Sequence, residues 1–161
     1  MNTPLHVLEV IGNARTGGVE NHVLSLARRL PDWNVYALDL PGHGKSVAEP
    51  CRSIEEIAQQ ALEWHQALDL PPAVWVGHSM GSAVALQAAL LRPESVAALI
   101  LSGSGVTLRV NPKLLEMASS PQTYRQAMER IVAWSFSREA PPRLVELALK
   151  RMSATPQAVL R

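Results

Sequence analysis

Two rhythms of apolar and polar positions alternate along the first hundred residues. Short apolar runs occur at Leu5–Ile11, Val35–Leu40, Ala73–Val76 and Val96–Leu101. Runs of this length, bounded by turn residues, predict buried strands. Between them apolar residues recur every three or four positions, the spacing of an amphipathic helix. Val19, Val23, Leu26, Ala27 and Leu30 mark one helix; Ile54, Ile57, Ala58, Ala61, Leu62, His65 and Leu68 mark a second. Ser53 and Glu56 stand at capping-box spacing before the second. A third helix is predicted over Gly81–Leu91, whose small residues Gly81, Ser82, Ala83 and Ala85 allow close approach to a sheet. Strands alternating with helices predict an α/β protein with a parallel sheet and right-handed crossovers.

Beyond Gly105 the rhythm is helical only. Ser120-Pro121 predicts a helix start by cap and first-turn proline, with Tyr124, Met128, Ile131 and Val132 on one face. Pro141-Pro142 opens another, carrying Leu144, Leu147 and Ala148. Helices without intervening strands suggest a lid over a sheet edge. The expected division is therefore a core over 1–105 and an incomplete helical lid or cap over 106–161.

Composition narrows the classes. With 161 residues, 47% hydrophobic and 18% charged, the chain suits an ordinary soluble domain with a real core. A net charge of +1 offers no electrostatic footprint for nucleic acid. No window approaches the ~20 apolar residues of a bilayer span. The start Met1-Asn2-Thr3-Pro4 lacks a basic signal-peptide region, so a cytoplasmic protein is expected. The single Cys51 excludes an internal disulfide, and no His, Cys, Asp and Glu group has metal-ligand spacing. No metal and no cofactor are expected.

The chemistry concentrates where the third strand turns into its helix. Gly77-His78-Ser79-Met80-Gly81 reads G-x-S-x-G, a serine set on a sharp strand-to-helix turn. Side chains at Gly77 or Gly81 would collide with the neighbouring strand and helix. The serine hydroxyl is left exposed, with the Met80 amide beside it at the positive end of a helix. Upstream stands Asp39-Leu40-Pro41-Gly42-His43-Gly44-Lys45-Ser46. Together these motifs resemble the α/β-hydrolase family, over about Asn34 to Arg161, and the Gly-His-Ser-Met-Gly run is similar to that of small bacterial esterases.

The resemblance implies a partial α/β-hydrolase fold with strand order 2-1-3-4 and a ligand crevice at the topological switch point. It implies Ser79 as the nucleophile, with Met80 and Asn13 donating backbone amides to an oxyanion. Gly77, His78, Gly81 and Gly12 shape the elbow and pocket. The implied substrate is a small hydrophobic ester or related acyl compound. The family's acid and histidine come late in its chain. Here all five histidines (His6, His22, His43, His65, His78) precede or adjoin Ser79, and no Asp or His follows it. The expectation is an N-terminal fragment or truncated relative whose base lies outside the chain. The rival expectation is a non-catalytic binding or pairing module that self-associates through an apolar fourth-strand edge.

Individual residues carry open alternatives. His43 is either a turn residue or a substitute base; His78 lines the pocket or bonds at its strand end. His65 is expected in the core, His6 and His22 in structural places, and Asp39 bracing its turn through backbone amides. Met128, Trp134 and Phe136 line an acyl pocket or pack between helices. Finally, His6–Gly12 with Thr16-Gly17-Gly18-Val19-Glu20 resembles the opening of nucleotide-sugar glycosyltransferases, implying a sugar-nucleotide-binding fragment. Gly12-x-x-x-x-Gly17-Gly18 is also a near miss to a P-loop, without its lysine.

Overall fold

A computed structural model of the chain describes residues 6–11, 25–105, 107, 109–153 and 157. Its strands are β1 (His6–Ile11), β2 (Asn34–Asp39), β3 (Ala73–His78) and β4 (Val96–Ser102). All pairings are parallel and the order is β2-β1-β3-β4, as the resemblance implies. Between β2 and β3 lies helix α1 (Ile54–Ala67), and between β3 and β4 lies α2 (Met80–Leu91) followed by a 3-10 turn, Pro93–Ser95. Residues 25–29 are helical. Most of the first predicted helix, with His22, Gly12 and Asn13, lies outside the described residues.

One face of the sheet builds the core. Strand residues alternate sides, and Leu8, Val10, Ala73 and Trp75 pack against Ile57, Ala58, Ala61 and Leu62 of α1 and Val84, Ala85 and Ala88 of α2. Trp75 is fully buried, and its indole donates to the Ser95 carbonyl at 3.1 Å. This satisfies the one polar atom that so large a ring takes inside. The α1 stripe is buried from Ile57 through His65. Leu68, expected on the stripe, is instead 49% exposed, because the helix has ended at Ala67. The cap also differs in one limb. The Glu56 amide donates to Ser53 Oγ at 3.1 Å, but the Glu56 carboxylate reaches the Arg52 amide at 2.7 Å rather than that of Ser53.

The chain divides into two compact units, Met1–Leu108 and Arg109–Arg161. The second contains α3 (Pro112–Ser119), α4 (Tyr124–Ser135) and α5 (Pro142–Met152). The periodicity did not predict α3, although Asn111 accepts from the Lys113 amide and Pro112 opens the first turn, a legible cap-and-proline start. Ser120-Pro121 opens the turn that leads into the helix, the Ser120 carbonyl accepting from the Thr123 and Tyr124 amides at 3.1 and 2.9 Å. Ser120 bonds the Gln122 side chain at 2.7 Å, Pro121–Thr123 form a turn, and α4 begins at Tyr124. Ala118, Ala127 and Met128 form this unit's core, with Leu149 and Met152 against it. On α5, Leu144 and Leu147 stay 48% and 36% exposed. Met128 packs between helices, while Trp134 is 62% exposed.

His65 sits in the first core. Its Nε2–H donates to the Pro71 carbonyl at 3.0 Å, and its ring lies 5.9 Å from that of Trp75. Burial pushes its pKa below the ordinary 6.5, against the pull of that hydrogen bond. The unfolded chain thus takes this proton at higher pH than the folded one, so the contribution of neutral His65 is present above pH 6.5 and lost as pH falls below it. Urea midpoints should fall between pH 7.5 and pH 5.5, and His65→Gln should fall less steeply; equal slopes would remove His65 from the account.

Candidate active site

Strand β3 stops at His78 and α2 starts at Met80, so a single residue makes the turn. That residue, Ser79, has φ 53° and ψ −116°, a region that residues with a Cβ avoid. Three contacts hold it there. Its amide donates to the Ser102 carbonyl at 2.9 Å, and its own carbonyl accepts from the Ser82 and Ala83 amides at 3.0 and 3.4 Å. Glycine is required on both sides for steric reasons. A Cβ on Gly77 would overlap the Gly81 carbonyl group and the Ser82 nitrogen, and one on Gly81 would overlap the Val10 carbonyl of β1.

The resulting site is electropositive and open. Ser79 is exposed, and its side chain makes no capping bond. As the first helical residue, Met80 has no acceptor within the helix for its N–H. The first turn of α2 holds no acidic residue, so nothing offsets the helix dipole beside the hydroxyl. An exposed oxygen next to an unengaged amide suits attack on a carbonyl whose oxygen becomes negative. Asn13 and Gly12, expected to complete that cradle, lie outside the described residues.

The turn after β2 has its own brace. Asp39 Oδ2 accepts from the Lys45 amide at 2.8 Å. Gly44, at φ 53°, passes so close that a Cβ would overlap the Asp39 carboxylate. The expected structural part of Asp39 is thus met. His43 Nδ1–H donates to the Pro41 carbonyl at 3.0 Å, leaving Nε2 of the neutral ring as an acceptor. Burial lowers its pKa from 6.5.

The other imidazoles are engaged locally. His78 is exposed, and its ring covers Gly103, where a Cβ would stand 3.1 Å from Nε2. His6 lies 3.4 Å from both Asn34 Nδ2 and Tyr36 Oη and stacks on Tyr36. His65 is bound to Pro71. Among the described residues no histidine is hydrogen-bonded to Ser79. No group of three or more His, Cys, Asp and Glu residues is disposed to hold a metal among them, and no helix there is long and apolar enough to cross a membrane.

Sequence reasoning missed Ser82 and Ser102. Ser82 is 1% exposed, and its hydroxyl lies 2.7 Å from the Gly77 carbonyl and 3.0 Å from that of Ser102. The available signal was a serine at an inward position of a mainly apolar helix.

Comparison with known proteins agrees with this geometry. The family model described as alpha/beta hydrolase fold matches residues 15–146. The chain is 35% identical over 116 residues to the dihydrolipoyllysine-residue acetyltransferase component of an acetoin cleaving system from Pseudomonas putida, covering 71% of this chain and 30% of that protein. It is 44% identical over 72 residues to a pimeloyl-[acyl-carrier protein] methyl ester esterase from Klebsiella pneumoniae, covering 45% of this chain and 26% of the relative. An esterase structure from Exiguobacterium antarcticum superposes with a TM-score of 0.75 at 21% identity, covering 99% of this chain and 64% of that one, a likeness of fold. The chain therefore spans less than two thirds of each of these relatives.

If the elbow is strained, glycine should relieve it. Relief of about 1–3 kcal/mol, less about 0.5–1 kcal/mol of added chain entropy, makes Ser79→Gly more stable than Ser79→Ala by about 1 kcal/mol. Parallel denaturant melts check this, and a less stable glycine variant would contradict the strain.

Proposed function

The chain belongs to the α/β-hydrolase fold family, and we propose that it carries the nucleophile portion of a serine hydrolase acting on a carboxylic ester or related acyl bond. The observation that carries this reading is Ser79 itself, an exposed hydroxyl on a strained single-residue turn at φ 53° and ψ −116°. Ser79 Oγ attacks the acyl carbonyl, and the Met80 amide, with that of Asn13, donates to the developing oxyanion. An imidazole from outside residues 1–161 takes the serine proton and returns it to the leaving group. Water then releases the acyl group by the same route. The substrate is a small hydrophobic ester, and the helical unit is the opening of the cap that the family resemblance implies.

The relatives include an acetyltransferase component and a methyl ester esterase. Transfer and hydrolysis both begin with an activated acyl carbonyl and differ in the acceptor that ends them. The serine elbow serves either, and we favour water as the acceptor.

A fluorophosphonate probe tests the nucleophile. Labelling should occur on Ser79 and vanish in Ser79→Ala. Without a base, ester turnover by the chain alone should not exceed the residual enhancement of about 10³–10⁴ over water that stripped triads retain. Absence of any label on the wild-type chain would refute the nucleophile.

A second reading, a non-catalytic pairing module, is favoured by one particular surface. Among the described residues β4 pairs only with β3, yet Ile100 and Leu101 are 54% and 39% exposed. On α2, Leu86 and Leu90 are 41% and 71% exposed, and they line a groove of about 380 Å³ with Leu101 and Gly105. Parallel strands are normally covered on both faces. Light scattering should detect concentration-dependent self-association that Ile100→Lys reduces; a monomer at all concentrations would eliminate pairing between copies.

A further inference from the structure

We propose that Ser82 is a positioning residue that fastens the nucleophile turn to the end of the edge strand. The proposal rests on the reading of Ser79 as nucleophile. A serine inside an apolar helix face is unfavourable unless its hydroxyl is bonded, and Ser82 is 1% exposed. Its Oγ–H faces two carbonyls, Gly77 at 2.7 Å and Ser102 at 3.0 Å, while the same oxygen accepts from the Ser102 amide at 3.2 Å. One hydrogen shared between two carbonyls and one accepting lone pair thus serve three backbone groups.

Those three groups flank Ser79. Gly77 lies two residues before it on β3, and Ser102 pairs with His78 across the sheet. Ser102 also receives the Ser79 amide at 2.9 Å. The strained turn is therefore tied to β4 twice, once by its own backbone and once through the Ser82 hydroxyl. The second tie also reaches back to the strand that enters the turn. Strained conformations persist only where their surroundings over-determine them. Ser82 supplies the side-chain part of that restraint without touching substrate. Removing the hydroxyl lets Ser79 leave its reactive geometry while the packing of α2 on the sheet stays.

Site-resolved amide hydrogen exchange on the wild-type chain, Ser82→Ala and Ser82→Thr decides the tie. In Ser82→Ala, exchange at the Ser79 and Ser102 amides should quicken at least tenfold relative to Leu8 and Val10 in β1. Ser82→Thr, which keeps the hydroxyl, should restore much of the difference. Should Ser82→Ala not fold, the near-isosteric Ser82→Cys is compared with Ser82→Thr in the same way. Unchanged exchange at Ser79 and Ser102 relative to β1 in the folded variant lacking the hydroxyl would overturn the proposal.

Fluorophosphonate kinetics on the same proteins report the consequence. Loss of the hydroxyl should lower the maximal inactivation rate about tenfold with probe affinity unchanged. Equal inactivation rates would also overturn the positioning part. A wild-type chain that takes no label refutes the nucleophile reading instead, and exchange still decides whether Ser82 holds the turn.

Discussion

A serine held with positive φ between a strand and a helix is a conformation its surroundings must impose, and the active end of this fold is organised around imposing it. The isolated backbone would relax away from φ 53° and ψ −116°, at a gain of about 1–3 kcal/mol. It is prevented from three directions. Gly77 and Gly81 permit a contact between strand and helix that any side chain would break. The Ser102 carbonyl holds the Ser79 amide. The Ser82 hydroxyl bridges the residues on either side. Trp75 and the small residues of α2 then fix the depth at which the helix lies on the sheet.

The same geometry supplies the electrostatics. Because the turn is one residue long, the first amide of α2 is delivered beside the hydroxyl. The absence of acidic residues in that turn leaves the helix dipole uncompensated where negative charge would develop. Strain, exposure and a positive local potential thus share one cause. The turn after β2 follows a related logic, with the Asp39 carboxylate holding the Lys45 amide beside a glycine at positive φ.

Much of this was legible because it is local. The G-x-S-x-G spacing names a backbone shape that follows from steric contact between residues four apart. The capping serine of α1 is a three-residue interaction. Periodicity found the four strands and the elbow helix within one or two residues. It was weaker in the second unit, where α3 was missed. Short helices have few turns in which to reveal a stripe, and their packed face depends on which neighbour they meet.

Amino-acid order alone thus carried the α/β rhythm, the elbow, its glycines and the Asp39 turn, since each depends on atoms a few residues apart. Contacts between distant segments were set elsewhere. They include the meeting of Ser82 with Ser102 twenty residues on, the closure of the Trp75 indole onto the Ser95 carbonyl, and the exposure of Ile100 and Leu101 on an apolar strand. These follow from strand register and from which faces find a covering layer. A side chain's pattern states its preference for burial; the fold decides whether anything is there to bury it.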